Sequence, residues 1–107
     1  MQKVVLYDYK SSDMNVNVFA EFEADGSLRV DGCDAGGKVK RMWGDYDYEY
    51  IITVTPEHLP SLYKALDTTQ EKLLKLMLEK FGGDRAFSKF KKYLEARDIP
   101  FDFFTWV

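Results

Sequence analysis

Acids and tyrosines alternate through Gly44-Asp45-Tyr46-Asp47-Tyr48-Glu49-Tyr50, and Ile51-Ile52-Thr53-Val54-Thr55 follows directly. On an extended strand this spacing puts Asp45, Asp47 and Glu49 on one face and the three tyrosine rings on the other. A row of carboxylates can bind a metal ion, or it can meet a basic surface. The calcium-loop pattern needs Gly at its sixth position and Glu at its twelfth. Counted from Asp45, those positions hold Tyr50 and Pro56, so the loop pattern fails at both. No metal site is expected here. Tyrosine beside negative charge suits recognition of a basic protein surface, because the ring offers rigid area and a polar handle. The candidate protein-binding residues are therefore Asp45, Tyr46, Asp47, Tyr48 and Glu49. The competing reading is structural: the rings enlarge a small core, and the acids keep the outer face soluble.

A second candidate is Asp31-Gly32-Cys33-Asp34-Ala35-Gly36-Gly37-Lys38. Three glycines and two acids oppose regular structure, so the segment reads as a loop. A phosphate-binding loop would end in Lys-Ser or Lys-Thr before a helix, whereas Val39 follows Lys38. The alternative ligand-binding set is Asp31, Asp34, Lys38, Lys40 and Arg41. The bland reading is a connection whose aspartates accept local backbone hydrogen bonds. The only cysteine, Cys33, and the only histidine, His58, would be the one route to thiol chemistry, and no local motif supports it. Zinc-site and serine-hydrolase patterns are missing. No catalytic residue and no cofactor is assigned.

These residues need elements to position them. A chain of 107 residues supports one core, and a composition 46% hydrophobic and 31% charged is that of a globular domain. One cysteine excludes an intrachain disulfide. The first 55 residues carry ten acids against six bases, and the remainder eight acids against nine bases. That distribution argues against nucleic acid as a partner and favours a basic protein. The start shows no signal-peptide pattern, and no stretch reaches the length of a membrane span, so cytoplasmic residence is the expectation.

Val and Tyr content marks a strand over Lys3–Tyr9 and a period-two pattern marks one over Met14–Glu23, with an Asp25-Gly26 hairpin leading to Leu28–Val30. Val39–Trp43 is ambiguous, and the tyrosine strand runs from about Asp45 to Thr55. Helical patterns follow. One begins near Leu59, delayed by Pro60; a second is capped by Thr68 and Glu71; a third is capped by Asp84. Lys89, Lys91, Lys92 and Arg97 form the solvated face of the third. The aromatic ending Ile99–Val107 should dock into the core or add a short edge strand. The expectation is a single α+β domain over 1–107, a two-layer sandwich. Its mainly antiparallel sheet of about four strands, over about residues 3–55, carries about three helices on one face, over about 56–98.

Three pieces carry a resemblance: Asp31-Gly32 with Asp34 and Gly36, the Gly44–Tyr50 run with Thr53-Val54, and Ile99-Pro100-Phe101-Asp102-Phe103-Phe104-Thr105-Trp106. In these the chain resembles a family of small uncharacterised bacterial proteins. The resemblance implies a stand-alone bacterial protein and assigns no catalytic residue. In size, charge and architecture the chain also looks like bacterial immunity or antitoxin proteins, which act by direct binding. The leading functional expectation is a non-catalytic protein-binding domain, with toxin inhibition its sharpest version. The alternative is a small-molecule- or metal-binding protein, or a minor enzyme, using residues 31–41.

Overall fold

A computed structural model describes residues 3–37 and 47–106, with side chains left aside at Asp47 and Trp106. Five strands form one sheet in the order β1-β2-β3-β4-β5, every neighbouring pair antiparallel. They are β1 Lys3–Lys10, β2 Asn15–Phe22, β3 Leu28–Ala35, β4 Asp47–Val54 and β5 Asp102–Trp106. Three helices, α1 Leu59–Leu66, α2 Gln70–Phe81 and α3 Ala86–Ala96, connect β4 to β5. The fold is α+β in two layers, as the sequence pattern predicts. The aromatic ending supplies the fifth strand, at the sheet edge.

Register explains which side chains meet the helices. Val4, Ala20, Val30, Ile52 and Phe103 lie directly across one another, and the first four are buried. Against this row pack Leu62, Leu73, Leu74, Met77, Phe90 and Leu94, all buried at helical spacing. The next row toward the other end of the sheet is Tyr7, Val18, Gly32 and Tyr50. The row beyond is Tyr9, Val16, Asp34 and Tyr48. Aliphatic packing thus gives way to tyrosines along one face.

β1 reaches these rows through a β-bulge. Its register shifts between Val5 and Tyr7, so Leu6 is the extra residue. Val4 and Leu6 are buried while Val5 is exposed, and the slip turns Tyr7 and Tyr9 to the helix side. The Leu6 carbonyl accepts a hydrogen bond from the Gly83 N–H at 2.8 Å, which ties the α2–α3 turn to the bulge.

Three local expectations are corrected. Asp31–Ala35 is not a loop but the second half of β3, paired on both sides with β2 and β4. A doubly paired ladder outweighs the weak strand preference of Gly and Asp. The second helix is capped at Thr69, with no side-chain cap bond, so the Thr68–Glu71 box does not form. The third helix has Arg85 at its cap, in the left-handed region: the bond to Leu6 holds the chain two residues earlier, at Gly83, and the Ala86 N–H donates to the Gly83 carbonyl. Asp84 is not the cap.

Candidate functional site

The tyrosine rows and the start of α3 line an open cavity of about 560 Å³. Val16 and Val18 on β2 and Asp34 on β3 line its sheet side. Tyr7 and Tyr9 stand on the β1 side, ring centroids 6.2 Å apart and planes within 5° of parallel. Tyr48 and Tyr50 stand on the β4 side, centroids 5.5 Å apart and tilted by 49°. Phe87 of α3 meets the Tyr50 ring edge-on at 4.6 Å, and Phe103 of β5 continues the wall at 6.0 Å from Phe87. Asp84, Arg85, Ala86, Ser88 and Lys91 complete the helical side.

Gly32 allows this arrangement. A Cβ there would fall inside the Tyr50 ring. Glycine within a strand marks a place where something must approach the backbone closely, and here it is the ring of a cross-strand neighbour. Passing over Gly32, the Tyr50 hydroxyl donates to Asp34 Oδ1 at 2.6 Å. Burial raises the Tyr50 phenol above its ordinary value, and the bond to Asp34 raises it further. Tyr50 therefore stays protonated and donates. A carboxylate has about four lone-pair sites, of which this phenol takes one. The pair presents acceptor capacity between aromatic walls.

The Lys91 ammonium lies 3.4 Å from Glu95 Oε2 and 4.8 Å from the Phe103 ring centroid. Its charge is matched on α3 and β5. Asp84 and Arg85, adjacent in sequence, are both exposed.

The sequence-derived residues separate onto two faces. Tyr48 lines the cavity, whereas Glu49, half-buried, lies on the face turned away from the helices. The backbone of Asp47 shares Glu49's face by strand parity. Asp45 and Tyr46 lie outside the described residues. In the alternative set, Asp34 is in the cavity. Asp31 points to the opposite face, where Arg29 Nη2 lies 2.7 Å from its carboxylate. Lys38, Lys40, Arg41 and the ambiguous stretch 39–43 lie outside the described residues.

Cys33 sits opposite Glu49 at one end of the ladder, and His58 follows β4 at the other. About 17 Å of strand separates the two positions, five residues at a strand rise. A thiol–imidazole pair is not formed. Among the described residues, no group of three His, Cys, Asp or Glu side chains is placed to hold a metal ion. Nor is any described helix long and apolar enough to cross a membrane.

Sequence reasoning missed Tyr7, Tyr9, Tyr50, Phe87, Lys91 and Phe103 as site residues, with Tyr50 read as part of the core. A signal for the first two was present. Val4, Val5, Leu6 and Tyr7 run without a polar residue, which leaves the strand's phase open at the place where a bulge shifts it. The contributions of α3 and β5 needed the tertiary fold. No family model, curated protein or solved structure matches the chain.

Proposed function

We propose that this protein is a binding domain for a protein partner and that the tyrosine cavity receives a side chain of that partner. The observation that carries this reading is the Asp34 carboxylate, held by Tyr50 within a cavity flanked by Tyr7, Tyr9 and Tyr48. Tyrosine-rich concave surfaces with a few placed polar groups are typical recognition sites. Tyr9 and Phe103 are 45% and 43% exposed, which leaves aromatic area at the rim for the partner's surface. In its sharpest form the partner is a basic toxin that the domain neutralises, and the chain's net charge of -3 suits such a partner.

Affinity capture from the source organism tests the reading. Wild-type protein is compared with Tyr48→Ala, Asp34→Asn and Glu49→Gln. The cavity variants should lose a partner that Glu49→Gln retains. Equal recovery with all four would sink it.

A second reading, a free small-molecule ligand, is favoured by one observation: Asp34, from the alternative set, is the residue that reaches the cavity. A metabolite thermal-shift screen with the same variants separates the two.

A further inference from the structure

We propose that the group taken into this cavity is an organic cation of the quaternary-ammonium type, borne by a choline-like small molecule or by a methylated lysine. This rests on the cavity being the binding site and adds the chemistry of what binds. The argument is one of shape, charge and hydration.

The cavity is a trough. Tyr7 and Tyr9 on β1 form one side, Tyr48 on β4 and the Tyr50 ring lying over Gly32 of β3 form the other, and the shorter Val16 and Val18 of β2 lie between them. The Tyr50 ring lies over β3, two strand spacings or about 10 Å from β1, so a head group between them can reach rings on both sides. Aromatic faces attract cations through their quadrupole, and enclosures of several rings are the usual receptors for quaternary ammonium groups. Tyr50 and Asp34 add a full negative charge beside the rings. Of the cationic side chains at the cavity, Lys91 is matched by Glu95 and Phe103. Arg85 is exposed and adjacent to exposed Asp84. Asp84 and Arg85 bring opposite charges to the exposed helical side of the cavity, whereas Asp34 is the charge held among the tyrosines by its bond to Tyr50.

Hydration selects among cations. A primary ammonium has three N–H donors to satisfy, and between the tyrosine walls Asp34 is the charged acceptor, with ring faces and valines filling the rest of the trough floor and sides. A methylated head group has few or none and sheds water at little cost. The volume of about 560 Å³ exceeds a bare head group and leaves room for an attached chain.

Calorimetric and NMR titration of the whole chain with choline, and with its uncharged tert-butyl analogue dimethylbutanol, tests the proposal. Choline should bind saturably and move the resonances of Tyr7, Tyr9, Tyr48 and Tyr50. The analogue should bind about tenfold more weakly or worse. Asp34→Asn keeps an acceptor for Tyr50; with circular dichroism unchanged, it should weaken choline about tenfold and leave the analogue unaffected. Two further arms, a trimethyllysine peptide and its unmethylated form, identify the source. A methylated peptide that outbinds choline assigns the cation to a partner protein, and the reverse assigns it to a free metabolite. Either supports the cation. Equal binding of choline and the analogue overturns the cation while keeping the cavity as a binding site. No saturable binding of choline or of the methylated peptide also overturns it. Whether the cavity captures a partner is read separately by the affinity experiment.

Discussion

The Tyr50 ring occupies the space that a side chain on its cross-strand partner Gly32 would need, and its hydroxyl ends 2.6 Å from Asp34, two residues further along β3. One ring therefore couples a backbone requirement on β3 to the position of the carboxylate in the cavity. Gly32→Ala should force the ring aside and lower stability by about 1–3 kcal/mol, the usual cost of overpacking. In Tyr50→Ala the same substitution should cost much less. Chemical denaturation of the four proteins gives the coupling; additive costs would show that the ring does not rest on Gly32.

Tyr50→Phe keeps the ring and removes the bond to Asp34. The loss should be about 1–3 kcal/mol at neutral pH, as for a hydrogen bond to a charged group. The pH dependence has a definite sign. The folded phenol is raised above its ordinary value of 10.0, so above that pH the unfolded chain gives up a proton that the folded chain retains. This contribution is complete below pH 10 and declines as pH rises beyond it. Urea midpoints measured from pH 9 upward should fall less steeply for Tyr50→Phe than for the wild type. Parallel profiles would contradict the assignment.

The two-layer fold is legible because strand alternation and helical periodicity are strong over Met14–Glu23 and Leu73–Phe81, where burial follows the pattern. The tyrosines of β4 are also legible as helix-facing, because Ile52 and Val54 share their parity. Asp31–Ala35 is misleading in isolation. Its glycine and aspartates carry loop propensity, and what makes it a strand is pairing with residues 12 to 20 positions away, on both sides. The candidate site is only half legible. Tyr48 and Asp34 stand out by residue type, whereas the bulge at Leu6 brings in Tyr7 and Tyr9, and helix packing brings in Phe87 and Lys91.

On the opposite face Arg29 and Asp31 form a 2.7 Å ion pair, with Asp31 9% exposed and Glu23 3.9 Å from the same guanidinium. Arg29→Met should leave the carboxylate poorly compensated. Full burial of such a pair would make the loss 3–5 kcal/mol, but the Arg29 side chain is 32% exposed, so about 1–2 kcal/mol is expected. Adding Asp31→Asn to Arg29→Met should recover part of the loss. A double variant no more stable than Arg29→Met would show that the carboxylate's charge is not what suffers.

Gly83 provides a contrasting glycine. A Cβ there meets nothing within 4 Å, yet its φ is +99°, a region that other residues adopt only under strain. Its N–H donates to the carbonyl of Leu6, the extra residue of the β1 bulge. Gly83→Ala should therefore cost about 1–3 kcal/mol through the backbone alone. Any relaxation of the turn should loosen the hold of α3 on the bulge and disturb Tyr7 and Tyr9. Hydrogen exchange at the Gly83 amide reads that bond, and D-alanine at 83, introduced by chemical ligation, isolates the cause because it accepts positive φ. The D-residue should restore stability while the L-residue does not. Equal losses with both would assign the cost to the added methyl group rather than to the backbone.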